Sequence, residues 1–223
     1  MRILVVSMLA AALALAGCAK KDESQSAAAD TGNAAATSAA PADLGSAPAA
    51  DSAPTADDSP EAEERARRQA LLDYSTMEDR YINDPRGQWA SSAKASSAFG
   101  IAKDKLADAD GTNSLAKLVG VPDSNNWTND NQEIGFDWLQ ASSAQPVNAS
   151  EIRVVFDEGA GTVSKVELLD TDGKLHEVWS GLDDTQKDRR GSRTWFVRTF
   201  EATPSKAQGV KITIANALSR GYK

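Results

Sequence analysis

The chain predicts an all-β sandwich or barrel over residues 87–223, preceded by a helical lead-in at 61–86 and a long polar spacer. Three observations carry that reading. Short segments of alternating apolar residues recur after Gly87, with turn residues between them and no helical period. All 13 aromatic residues lie from Tyr74 onward, so a bulky core can be built only in the later part. Charge divides the same way: residues 19–65 hold three basic and ten acidic side chains, residues 66–223 twenty and twenty-two. An acidic tail therefore precedes a nearly neutral domain, which argues against nucleic acid as the main ligand, since phosphate binding needs a basic surface.

The first element is an address. Arg2 supplies a positive start and Ile3 to Gly17 an uncharged apolar run of 15 residues, the layout of a secretory signal. A bilayer span takes about 20 apolar residues, so the run is short for a permanent transmembrane helix. Leu15-Ala16-Gly17-Cys18 resembles the lipobox of bacterial lipoprotein precursors. That resemblance implies removal of residues 1–17 and lipidation of Cys18, the only cysteine, which anchors the chain in a membrane. Ala19 after the cysteine resembles an outer-membrane address. The alternative is a plain secretory signal with a cysteine near its cleavage site. One Cys and one His exclude an internal disulfide and leave no comfortable zinc site or His-assisted nucleophile.

From Cys18 to Pro60 the chain is Ala, Ser, Asp and Pro with one bulky aliphatic, Leu44, and Pro41, Pro48, Pro54 and Pro60 interrupt any long helix. Such a segment buries too little apolar area to offset chain entropy, and reads as a disordered spacer. As a coil it reaches roughly 40 Å. Glu61 to Ile82 then opens with acid after Ser59-Pro60, a helix start, and is expected to end before Asp84-Pro85.

Alternation is clearest in Glu151–Phe156, Val163–Leu169, Leu175–Trp179, Trp195–Phe200 and Val210–Ile214. Turn residues at Asp157-Glu158-Gly159, Asp170 to Gly173, Ser180-Gly181 and Thr203-Pro204 separate them. Val163 to Trp179 should form a hairpin turning at Asp172-Gly173.

Trp89 to Ser97, Leu118 to Asp123, Phe136 to Leu139 with Ile152 to Val154, Val163 to Gly181 and Val210 to Ile214 together resemble the galactose-binding-like jelly rolls. That family includes discoidin and coagulation-factor type C domains and bacterial carbohydrate-binding modules. The resemblance implies a jelly-roll β-sandwich over 87–223, a glycan as ligand class and, in many relatives, a structural calcium. It also implies a further apolar strand after Gly221-Tyr222, where this chain stops at Lys223: either that strand is missing, which would leave a neighbouring strand as an open edge, or the fold ends differently.

Candidate site residues follow from loop chemistry. Trp127 stands in a polar loop with Asn125, Asn126 and Asn129, which offers a stacking face beside amides for hydroxyls. The other reading has Trp127 folding back to cover the sandwich edge while the asparagines form turns. Asp123 and Asp130 of the same loop are the candidate calcium ligands, without EF-hand spacing. Arg189, Arg190 and Arg193 in the loop 183–193 are candidates for phosphate or carboxylate of a glycan or lipid head group, unless they pair within the loop. His176 has no second His or Cys and reads as a surface strand residue. Nothing points to catalysis. The sequence therefore predicts a lipid-anchored envelope protein presenting a non-catalytic glycan-binding module; the alternative is a scaffolding lipoprotein that docks on another envelope protein.

Overall fold

Eight strands and one long helix form around the positions where β-branched and aromatic residues alternate. The structure is a computed structural model, and it describes residues 1–7, 59–123, 125–131, 133–221 and 223. Cys18 and the spacer through residue 58 lie outside the described residues. The elements are β1 (Arg2–Ser7), α1 (Pro60–Ile82), β2 (Gly87–Ala95), β3 (Phe136–Val147), β4 (Ala149–Phe156), β5 (Val163–Asp170), β6 (Leu175–Ser180), β7 (Thr194–Thr199) and β8 (Ala207–Ala215). Short 3-10 turns at Lys103–Lys105, Leu115–Leu118 and Asn216–Leu218 punctuate the loops. Among the described residues no helix is long and apolar enough to cross a membrane.

Every strand pairs antiparallel with its neighbours, in the order β6-β5-β8-β3-β2-β1-β4-β7. The path turns its corner at β2, whose Gly87 to Trp89 pair with β1 while Ala90 to Ala95 pair with β3. The two ends of the order come back together: the Trp179 ring of β6 meets Phe196 of β7 edge-on, with centroids 5.4 Å apart. This is the jelly-roll sandwich that the sequence predicts. Its core takes Leu139 and Ala141 of β3, Ile152, Val154 and Phe156 of β4, Val166 and Leu168 of β5, and Ile212 and Ile214 of β8. β8 approaches β3 closely at Gly209, where a Cβ would stand 2.5 Å from the Ala141 carbonyl oxygen.

The five strands expected from alternation form within two or three residues of their expected ends, and β5 with β6 makes the expected hairpin, with Gly173 at φ 83. Residues 2–7, read as part of a leader, form a strand. Ile3 and Val5 enter the core, and β1 lies between β2 and β4 with all of Met1 to Val6 buried. The same apolar run that reads as a leader suits a strand buried on both faces, because each side of a central strand here meets protein.

The helix α1 runs the full length Pro60–Ile82 and ends before Asp84-Pro85. Ser59 caps it by accepting the Ala62 N–H, Pro60 takes the first turn where no N–H is needed, and Glu61 and Glu63 stand at its positive end. It docks through three aromatics. Tyr81 packs edge-on against Trp195 with centroids 5.1 Å apart, and Tyr74 covers Gly191, where a Cβ would come within 2.1 Å of the ring.

Candidate functional site

The loops 96–135, 157–161 and 181–193 gather at one end of the sandwich, and their polar residues form two layers. The lower layer is closed. Asp137, the second residue of β3, points inward and receives Ser96 Oγ at 2.6 Å, Ser97 Oγ at 3.0 Å, Asn216 Nδ2 at 3.1 Å and Asn129 Nδ2 at 3.2 Å. Burial pushes its carboxyl up, but these donors outweigh burial and hold it below the usual range. Asn129 completes the layer by accepting the Lys223 N–H at 2.8 Å. A buried carboxylate with this many donors is a knot that fixes loop ends, with its acceptor capacity spent.

The upper layer is open. Asn126 Nδ2 donates to Asp157 Oδ2, and Arg193 brings its Nε to 3.9 Å from Asp157 Oδ1. Arg193 also donates to Glu78 Oε1 at 3.1 Å and to the Asp123 carbonyl at 3.4 Å, so one guanidinium joins α1, the 122–131 loop and the turn after β4. Its own backbone is clamped: the carbonyl receives Tyr74 Oη–H at 3.0 Å. Lys187 pairs with Glu158 at 2.6 Å beside them. Asn126, Trp127, Thr128, Asp157 and Glu158 line a cavity of about 200 Å³, together with Met1 and Lys223. Asp157 keeps 43% of its side chain exposed.

Trp127 corrects the stacking expectation. It is 1% exposed and its indole N–H donates to the Ser97 carbonyl at 3.1 Å, so it offers no face to a sugar. The polar neighbours that suggested a surface loop are instead the partners that let the ring sit in the core. Asn129 is likewise buried in the lower layer and cannot reach a ligand. Of the sequence candidates, Asn125 and Asn126 stay at the surface. Arg190 folds onto its own Asp188, donating from Nε at 3.0 Å and Nη2 at 2.8 Å, which holds the aspartate low, while Arg189 is exposed.

The candidate calcium ligands Asp123 and Asp130 have partners of their own. Asp123 is engaged by Arg2 at 2.5 Å and by the Asn125 N–H at 2.8 Å, while Asp130 takes the Gly100 N–H at 3.4 Å. Among the described residues no group of three or more His, Cys, Asp or Glu side chains is gathered as a metal site. His176 bonds Asp170 at 2.6 Å, within its own hairpin.

A larger polar cleft of about 420 Å³ lies where α1 ends, lined by Tyr81, Asp84, Arg86 and Arg153 among others. Its charges are mutually engaged: Arg153 reaches Asp84 at 2.9 Å and Glu151, and lies over the Tyr81 ring at 4.5 Å. This cleft reads as the mount of the helix. Asp157 and Glu158 are the residues that sequence reasoning did not assign to the site, while Arg193 belonged to the basic cluster it named. The three stand in a turn and at the end of a charged loop, and only the fold brings them to Asn126.

No protein family matches the chain, and no curated protein matches it. Among solved structures, the family 32 carbohydrate-binding module of Clostridium perfringens NanJ, in complex with galactose, is similar at 17% identity and a TM-score of 0.37, covering 59% of this chain and 85% of that one. A second module from Clostridium perfringens, CpGH89CBM32-5 in complex with GalNAc-β-1,3-galactose, is similar at 14% identity and a TM-score of 0.36, covering 58% of this chain and 86% of its own.

Proposed function

We propose that the chain is a lipid-anchored protein of a bacterial envelope, held to the outer membrane through Cys18, and that its sandwich is a non-catalytic module binding glycan at the loop end. The observation that supports the binding reading is the meeting of an amide, a carboxylate and a guanidinium, Asn126, Asp157 and Arg193, from three loops, with Asn126 and Asp157 lining an open cavity. Planar donors and acceptors of this kind take the paired hydroxyls of a sugar. With Trp127 inside, recognition rests on polar contacts, and affinity per site is modest. The spacer then sets how far the module stands from the lipid surface.

A thermal-shift titration of the full chain in detergent against a panel of envelope polysaccharides tests this reading. Ligand at about 100 times its dissociation constant adds roughly 2.7 kcal/mol, which moves the midpoint by several degrees. A saturable shift that Asp157→Asn abolishes supports it. A folded protein that no glycan shifts overturns it in favour of the second reading, docking on another envelope protein. That reading has its own observation: Ile134 and Phe136 are 84% and 67% exposed beside Asn216, which holds the Ile134 carbonyl at 3.1 Å.

A further inference from the structure

The strand β1 occupies a slot built for an extended segment of defined chemistry. On one side its Leu4, Val5 and Val6 face Trp89, Gln88 and Gly87 of β2, and on the other Arg2 to Val6 face Val155 to Glu151 of β4. Ile3 and Val5 fill the core, while Leu4 stands on the opposite face, over Gly87, where a Cβ would come within 2.8 Å of Leu4 Cδ1. Arg2 fits a socket of oxygens: the Val119 carbonyl at 2.6 Å, the Val121 carbonyl, Asp123 Oδ1 at 2.5 Å and the Asn125 carbonyl at 3.4 Å. The slot thus asks for a basic residue followed by aliphatic residues on both faces.

The same residues carry the export pattern. On the reading that residues 1–17 are removed, on which this inference rests, β2 and β4 lose a shared partner and expose facing rows of backbone N–H and C=O in the middle of the sheet. We propose that the slot between β2 and β4 is a strand-acceptor site of the processed protein, which takes in trans an internal extended segment of a partner chain, a basic residue followed by consecutive aliphatics. The fit of Met1 favours an internal segment over a chain end. Its ammonium is wholly buried, and burial, with Arg2 adding to it and Asp157 opposing, pulls its pKa down to about 5. A segment that runs on past this point as ordinary peptide has no charge to bury there.

The test uses the full chain with a protease site placed in the spacer between residues 19 and 58, so that cutting severs β1 from the folded remainder. A fluorescent peptide of residues 1–7 is then added. We expect saturable uptake in place of the severed strand, weakened at least tenfold by Val5→Pro, which removes a ladder N–H, or by Arg2→Ala, and absent for a scrambled peptide. A remainder that keeps its circular dichroism after the strand is washed out, yet takes up no peptide, overturns the proposal. Where the remainder unfolds instead, refolding with excess peptide decides: recovery with the native sequence and not with Val5→Pro upholds the slot, and equal outcomes with both overturn it. Mass spectrometry of the chain recovered from membranes separates the two readings. Retention of residues 1–17 removes the processing reading, whereas their loss without peptide uptake removes the slot alone.

Discussion

Arg153 and Arg193 each join the helix to the sandwich through carboxylates, yet their surroundings differ. The side chains of Arg153 and its partner Asp84 are 5% and 6% exposed, and the guanidinium also stacks on Tyr81. Arg193 holds Glu78 in a half-buried pair but meets Asp157 at 3.9 Å, on a carboxylate still largely in contact with water. The same chemistry is a fastener where every acceptor is spent and a binding surface where one is left over. Burial, more than residue type, decides which role an ion pair takes.

The sharpest way to break this contrast is Arg153→Ala. It leaves Asp84 and Glu151 without their shared buried partner and should cost about 3–5 kcal/mol in urea denaturation, with no effect on glycan binding per folded molecule. Acid sharpens it further. Hydrogen bonds from Arg86, outweighing burial and aided by Arg153, hold the Asp84 carboxyl well below its ordinary value of 3.8. Its contribution is therefore complete above that ordinary value and is lost as pH falls through the lowered folded one. The acid limb of a stability-versus-pH curve should flatten in the Arg153→Ala protein.

Asp137 belongs with the closed kind, and Asp137→Ala should cost about 2–3 kcal/mol by strip-out of a carboxylate that several buried donors share, read by thermal denaturation. Arg193→Ala should fall between the two kinds, costing about 1–2 kcal/mol while also weakening glycan binding, which calorimetry on the same sample resolves. Asp157→Asn should be the smallest in stability, within about 0.5 kcal/mol, and yet lower glycan affinity about tenfold. If Asp157→Asn unfolds the protein or Arg153→Ala abolishes binding without unfolding, the assignment of roles is reversed.

Much of the sandwich was legible because its central strands carry their inward residues as Val, Ile, Leu and Phe at alternate positions, as in β4, β5 and β8. β2 and β3 hid theirs. In β3 the inward positions run Asp137, Leu139, Ala141, and in β2 much of the strand is Ala and Ser, so neither shows a clear period. Asp137 in particular is a charged residue at a core position, intelligible only with the donors of the 96–135 loop and Asn216 around it. Trp127 misled for the converse reason, since polar neighbours in sequence proved to be packing partners in space. Asn126 and Asp157 are 31 residues apart, and no spacing in the chain announces their bond.

The place of β1 has a consequence in time. Its six residues are made about 150 residues before the last of their partners in β4, Val155. At roughly 5–20 residues per second of synthesis, this segment spends about eight to thirty seconds without the strands that bury it. For that interval the opening segment is exposed to any machinery that binds an extended apolar chain.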